Sequence, residues 1–282
     1  MEVLTIILAG IISLGSSGGI ILDKIARSEI GDRVTSIERQ AVRIDNQPNY
    51  DVARGKLARV RIANRGVYLE PGVRVAVLDL ETDPLAVRLD RLSFSSIEGL
   101  RQALKSPAQV AARIVLAEAD LNQALQAPEV RQQLEDNLNR LIASRAGANN
   151  ISYGLQDMQL ELRPQNRLGV SFKLERLRST GASAANRGTS PTNDRSRELE
   201  IGLELTLKIV DGQRISLVDP QGVVNGRPMS TRLLNGFATG FSDRLNLNLL
   251  AADGILARIL QLEINEDNLQ LVGFVKVEPK QP

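Results

Sequence analysis

The side chains of this sequence that could act in chemistry are carboxylates and cations, because its 282 residues include no histidine and no cysteine. Imidazole bases, thiolate nucleophiles and zinc sites built from these two residues are therefore excluded. The motifs of P-loop, dinucleotide-binding and serine hydrolase enzymes are missing as well. A hydrolase or transferase that uses Glu118 and Asp120 is the remaining enzymatic alternative, although acidic residues also favour the start of a helix. We expect no catalytic residue and no cofactor.

A second acidic cluster, at residues 263–267, lies among Asn265 and Asn268. Oxygen ligands of this kind suit Ca²⁺. A hairpin turn explains the same residues without an ion, because Asn and Asp favour tight turns. We expect no metal site.

The cations form one conspicuous run, which within its own stretch is opposed only by Asp51. Its members are Arg54, Lys56, Arg59, Arg61 and Arg65. Arg59 and Arg61 alternate with apolar residues, so they lie on one face of a strand, either as an ordinary solvated face or as a surface for lipid phosphates. Nucleic acid is not the expected partner, since the net charge is only +2 and aromatic residues make up 3% of the chain.

The element around which these groups must be arranged is a long strand that begins at Glu198. Every second residue from Leu199 to Ile209 is aliphatic, which is the period of a half-buried strand. Asp211 and Gly212 then predict a tight hairpin, after which Ile215 and Leu217 resume the pattern. The strand would span about 40 Å, so its aliphatic face needs an equally long cover.

The rest of the chain predicts an α+β fold made of antiparallel hairpins and few helices. A short amphipathic helix is expected at 23–37, strands at 41–45, 52–63, 67–69, 73–80 and 85–92, and a long helical region at 118–143 in which Pro128 starts a second helix or kinks one. Strands are expected again at 151–163, 168–176, 256–264 and 269–277, with a helix after Ser230. Residues 179–197 have the composition of a disordered insert, and 23–278 form one domain.

Residues 3–22 carry no charge and predict contact with a membrane. Their glycines make a poor helix, and a cleaved signal peptide or a buried segment are the alternatives. The protein is therefore expected to be membrane-associated, either anchored or peripheral.

Several short segments resemble the LmeA-like phospholipid-binding family, in particular its cyanobacterial branch. They are Arg43-Ile44-Asp45, Gly55-Lys56-Leu57, Val60-Arg61-Ile62, Arg65-Gly66-Val67, Leu80-Glu81-Thr82-Asp83-Pro84-Leu85 and Leu116-Ala117-Glu118-Ala119-Asp120-Leu121-Asn122. The resemblance runs over residues 23–277. It implies a long curved antiparallel sheet wrapped along helices, similar to half of a tubular lipid-binding protein, and phospholipid binding in the groove between sheet and helix.

The residues and the resemblance together predict a non-enzymatic protein that binds or transfers phospholipid at a membrane surface. We expect the acyl chains to lie among aliphatic side chains of the sheet and the long helix, and the head groups to meet Arg59, Arg61 and Arg65. The predicted lining residues are Leu134, Leu138, Leu141, Leu168, Val170, Phe172, Leu199, Ile201, Leu203, Leu205 and Leu207. The alternative is a membrane-associated scaffold whose core fills itself.

Overall fold

The computed structural model of the chain describes residues 34–45, 51, 54–69, 72–91, 97–146, 152–177 and 198–280. The strands are β1 Val34–Ile44, β2 Lys56–Leu57, β3 Val60–Leu69, β4 Val73–Thr82, β5 Leu85–Ala86, β6 Ala108–Ala117, β7 Ser152–Arg163, β8 Arg167–Leu177, β9 Glu198–Val210, β10 Arg214–Val224, β11 Arg227–Pro228, β12 Ile255–Ile264 and β13 Asn268–Val277. The α-helices are α1 Ile97–Ala103, α2 Glu118–Gln126, α3 Pro128–Ala146 and α4 Thr231–Arg244, and 3₁₀ turns occupy Leu89–Arg91 and Leu247–Asp253. The predicted α+β class with antiparallel sheets is confirmed.

The strands divide between two open sheets. The first has six strands in the order β1, β3, β4, β6, β13, β12, and the second has five in the order β11, β10, β9, β8, β7. The main core belongs to the first sheet, where Val60, Leu80 and Val277 are buried under β5 and α1 with Leu85 and Leu100. Because this core is filled by the protein's own side chains, the first sheet needs no guest to bury its apolar face there.

The second sheet contains the long alternating strand, and its aliphatic face continues across four strands. Asp211 and Gly212 have positive φ angles and close the β9–β10 hairpin, as the sequence predicts. Single-residue bulges interrupt β7 between Gln156 and Gln159 and β10 between Val218 and Gln221. Each bulge adds one residue, which bends and twists its strand, so the sheet is curved at both sides.

The two sheets meet where the hairpin turns of the second rest on β12, the outer strand of the first. The Ile259 amide donates to the Gly212 carbonyl oxygen at 2.6 Å, and the Ile264 amide donates to Asn166 Oδ1 at 2.8 Å. These bonds satisfy backbone groups that an edge strand would otherwise leave open.

Some predicted elements differ from the observed ones. The expected strand at 85–92 is reduced to β5, a bridge at Val87 and a 3₁₀ turn, because the segment enters the core and pairs only with short neighbours. The expected helix at 23–37 overlaps β1 from Val34 onward, and its earlier part lies outside the described residues, as do 3–22 and 179–197. Pro128 does start a second helix, α3.

Candidate functional site

The aliphatic residues predicted on β8 and β9 share one face of the second sheet. Antiparallel partners point to the same side, and the register pairs Leu168 with Leu205 and Phe172 with Ile201. Val170 pairs with Leu203 between them. The residues of this aliphatic face that sequence analysis named are Leu168, Val170, Phe172, Leu199, Ile201, Leu203, Leu205 and Leu207. Leu155, Leu160 and Leu162 of β7 extend it at one side, and Leu217 and Val224 of β10 extend it at the other.

Helix α4 covers part of the aliphatic face. Leu205 and Leu217 form a buried cluster with Ala238 of the helix. Gly222 lies beneath Leu234, where an added Cβ would come within 2.8 Å of a leucine methyl carbon. The buried Ser242 hydroxyl donates to the Ala238 carbonyl oxygen at 2.7 Å and accepts from the Leu217 amide at 2.9 Å. The helix is therefore fixed over the β10 side of the sheet.

Beyond α4 the aliphatic face is less well covered. Val170, Phe172, Leu199 and Ile201 are only half-buried among the residues that the structure describes, whereas Leu155, Leu162 and Leu174 on the same face are buried. On β9 this half-buried part runs from Leu199 to Leu203, four residues or about 13 Å of extended chain, because Leu205 is already buried under α4. We name it, together with Val170 and Phe172 of β8, the half-buried strip; a strip of this length would hold part of a fatty acyl chain.

Helices α2 and α3 lie along β7, the outer strand of the second sheet, and bond to its free backbone groups through side chains. On α2, Asn122 exchanges two hydrogen bonds of 2.8 Å with Leu160, and Glu118 Oε2 accepts from the Leu162 amide at 2.6 Å. Gln126 donates to Met158. The three helical residues are spaced by four, so they form one stripe.

The same arrangement continues on α3. Asn139 bonds to both backbone groups of Tyr153, and Glu135 accepts from the Leu155 amide at 2.8 Å. Sequence analysis missed this ladder, because Glu, Asn and Gln repeated every four residues also fit a solvated helix face. Their amide and carboxylate groups, directly before a predicted strand, were the available signal.

The predicted lining residues of α3 occupy this edge of the sheet. Leu134 and Leu138 are half-buried and lie next to Glu135 and Asn139, which bond to β7. Leu141 lies in the same helix, and its side chain is outside the described part of the structure. The structure thus brings α3 to the β7 side of the aliphatic face, while α4 lies on the β10 side.

A cavity of about 800 Å³ opens on the other, polar face of the second sheet. It is bordered by α2 and by side chains of β7 to β10, among them Glu118, Glu161, Arg163, Glu204 and Gln221. Arg163 bonds to Glu204 at 2.6 Å and to Glu161 at 2.7 Å, and the Arg163 guanidinium holds the pKa of Glu161 below its usual range. The lining is therefore acidic, and its charges are largely paired.

The predicted head-group arginines lie in or beside β3 of the first sheet. Arg59 and Arg61 both approach Glu81 at 3.5 Å, and Arg61 is also 3.6 Å from Asp45. Arg65 bonds to Asp79 at 2.5 Å. In the fold, carboxylates from β4 and from the end of β1 also oppose this run, because the register brings them onto the same face.

These arginines are not adjacent to the aliphatic face. β3 lies four strand spacings, about 19 Å, from β12, where the second sheet meets the first. Arg43 bonds to Asp45 at 2.7 Å and lowers the pKa of that carboxyl group. The arginine surface and the aliphatic face are therefore separate features of the molecule.

The carboxylates of the enzymatic alternative both have structural partners. Asp120 bonds to Arg74 at 2.7 Å, while Glu118 accepts from the edge of β7. Arg74 also bonds to Glu38, and this contact lowers the pKa of Glu38 and raises the pKa of Arg74. Among the described residues, no group of acidic side chains is arranged to hold a metal ion.

Comparison with known proteins identifies the family of the chain. The model of the LmeA-like phospholipid-binding family matches residues 17–274. The chain belongs to this family, and a phospholipid is accordingly its class of ligand. Neither the curated proteins nor the solved structures contain a match. In the described ranges, no helix has both the length and the apolar character needed to cross a membrane.

Proposed function

We propose that this protein holds the acyl chains of a phospholipid on the aliphatic face of β7 to β10 and transfers the lipid at a membrane surface. The observation that carries the proposal is that this face continues across four strands and that Val170, Phe172, Leu199 and Ile201 on it are only half-buried. Membership of a phospholipid-binding family supports the same ligand.

Burial of acyl chains on this face would favour binding. A fully buried methylene group contributes about 0.8 kcal/mol, so thirty half-buried methylene groups of two chains would contribute about 12 kcal/mol before the cost of association. The half-buried strip is also an apolar surface in contact with water, and a hydrocarbon chain would cover it. Leu134, Leu138 and Leu141 would border the chains from the β7 side.

The polar cavity is the weaker candidate for the acyl chains. Its border includes Glu118, Glu161 and Glu204. A hydrocarbon chain placed there would displace the water that hydrates these carboxylates and would not replace the hydrogen bonds of that water. A phosphate group would also be repelled by this acidic lining. We therefore assign the chains to the aliphatic face.

Arg59, Arg61 and Arg65 enter the proposal as contacts to phosphate groups of a membrane surface. Their present partners are exposed carboxylates, and exposed ion pairs contribute only about 0–1 kcal/mol. A lipid phosphate could therefore replace Glu81 or Asp79 as partner at little cost. No catalytic step is part of the proposal, since Glu118 and Asp120 have structural roles.

The test compares two substitutions on opposite faces of the same sheet. Ile201 lies on the half-buried strip of the aliphatic face. Val223 is 42% exposed on the polar face and is also a β-branched residue. Ile201→Gln should lower phospholipid affinity about tenfold, which corresponds to about 1.4 kcal/mol, whereas Val223→Gln should leave it unchanged. Native mass spectrometry after incubation with vesicles measures the bound lipid. A wild-type protein that takes up no phospholipid would refute the proposal.

A further inference from the structure

Helix α4 carries a second apolar stripe beside the one that packs on the sheet. Leu234, Ala238 and Ser242 are buried against β10. The residue directly before each of them is apolar and is not fully buried. We name this second stripe, Leu233, Phe237 and Phe241, the α4 ridge. Leu233 is 50% exposed, Phe241 is 45% exposed, and Phe237 is half-buried. At a spacing of four residues the ridge runs about 12 Å along the helix.

The composition of the ridge is unusual for this chain. The sequence contains 5 phenylalanines in 282 residues, and Phe237 and Phe241 place two of them on one exposed stripe, with ring centroids 5.7 Å apart. The positions where Gly236 and Gly240 would carry a Cβ have no atom within 4 Å. These two positions beside the ridge therefore border open space among the described residues.

Cations lie at one end of the ridge. Arg227 on β11 and Arg232 in the first turn of α4 are exposed, and neither has a carboxylate partner among the described residues. A concave surface of about 640 Å³ separates the hairpin from the helix and is bordered by Arg227, Leu233 and Val224. At the opposite end of the helix Asp243 is followed by Arg244, so the formal charges there cancel. The first turn is the more cationic end, and an anionic partner would therefore meet it rather than the last turn.

We propose that the α4 ridge docks this protein on an anionic lipid bilayer, with Arg227 and Arg232 among the phosphate groups. The inference rests on the proposed function for its choice of a lipid partner. A helix with an apolar stripe and adjacent cations binds at the boundary between head groups and acyl chains, and each cation near an anionic surface adds about 1 kcal/mol. A second copy of the chain fits less well, because three side chains in a row offer far less than the about 800 Å² per partner of a stable interface.

The position of the ridge connects it to the proposed lipid site. Val224 pairs with Ile201 on the aliphatic face, and it borders the same concave surface as Leu233. A bilayer against the ridge would therefore lie next to the end of the half-buried strip at Ile201 and Val224. A lipid could then pass from the bilayer to the strip without crossing water.

The test is flotation of the full chain with vesicles of phosphatidylcholine that contain about one third phosphatidylglycerol. Leu233→Ser combined with Phe241→Ser should weaken binding at least about tenfold, because two buried apolar side chains are lost from the bilayer. Leu260→Ser, at a residue 62% exposed on β12, is the matched control and should bind as the wild type does. Replacement of Arg227 and Arg232 by Gln should reduce the preference for anionic vesicles, and Arg59, Arg61 and Arg65 are left unchanged in that variant.

Native mass spectrometry of the same samples keeps the two proposals apart. Bound phospholipid in the ridge variant, together with lost flotation, would support docking and leave the lipid site intact. Flotation of a wild type that holds no phospholipid would support docking and refute the proposed function. A ridge variant that floats as the wild type does, or a wild type that fails to float, would overturn the docking proposal. A dimer in solution that the ridge substitutions dissociate would also overturn it, since the stripe would then bind a second copy.

Discussion

Replacing Asn139 by alanine should destabilise the fold through the edge of the second sheet. The Asn139 amide donates to the Tyr153 carbonyl oxygen at 2.9 Å, and its oxygen accepts from the Tyr153 amide at 2.8 Å, both in a partly buried setting. Alanine would leave two backbone groups of β7 without their partners. Each such hydrogen bond contributes about 0.5–1.5 kcal/mol, so the expected loss in the free energy of unfolding for the two bonds is about 1–3 kcal/mol.

Asn137→Ala provides the control within the same helix. Asn137 is exposed and, within the described ranges, accepts a hydrogen bond only from the Arg140 guanidinium at 3.1 Å, so its replacement should change stability by less than about 0.5 kcal/mol. Alanine also raises helix propensity, and this gain is common to both variants. The difference between them therefore measures the bonds to β7.

Urea unfolding followed by circular dichroism gives that difference. With a slope of about 2–3 kcal/mol per molar urea, the midpoint of Asn139→Ala should lie about 0.5 M below that of Asn137→Ala. Hydrogen exchange at the Tyr153 amide should accelerate in the first variant alone. Equal midpoints and equal exchange rates would show that the helix does not stabilise the edge strand in the way described.

Other substitutions should give distinct results. Ser242→Ala leaves the buried Leu217 amide without an acceptor and should cost about 1–3 kcal/mol in urea unfolding, while Ser242→Thr, which keeps the hydroxyl, should cost less. Gly222→Val places methyl groups against Leu234 and should cost about 1–3 kcal/mol, with a loss of helical signal if α4 separates from the sheet. Glu38→Gln should destabilise the protein at neutral pH and have no effect in strong acid. The folded-state pKa of Glu38 is lowered from 4.5, so its carboxylate contributes stability above pH 4.5, and this contribution is lost as the pH falls through the lowered pKa. A pH-independent difference in the urea midpoint would contradict this last expectation.

The sequence was sufficient for the aliphatic face because its signal is local. Alternation from Leu199 to Ile209 specifies which side chains share a side, and the turn at Asp211 and Gly212 sets the register of the next strand. The bulge near Asp219, which has a positive φ angle, was not predictable in the same way. It shifts the period by one residue, so Val224 rather than Val223 continues the aliphatic face.

Long-range partners were beyond prediction for a different reason. Arg61 meets Glu81 and Asp45 only because β3 lies between β4 and β1, and no local pattern specifies that strand order. The bonds from Asn122 and Asn139 to β7 likewise depend on how the helices turn back along the sheet. Polar residues on a helix can hydrogen-bond either to water or to the edge of a strand, and only the packing of the helix decides between the two.

The junction at β12 and the helical ladder on β7 leave each sheet with a single open margin among the described strands. In the first sheet that margin is β1, which carries Glu38, Arg39 and Arg43 along its length. Charges on an outer strand discourage a neighbouring molecule from adding its own strand, because pairing would bring them together out of water. In the second sheet the margin is β10, along which β11 pairs only with Val223 and Val224. At its other end the Ile215 amide donates to the Leu245 carbonyl oxygen and the Leu217 amide donates to the Ser242 hydroxyl, so these groups are not open to a new strand. Neutral substitutions along β1 would therefore remove the charges that oppose the addition of a strand at this edge.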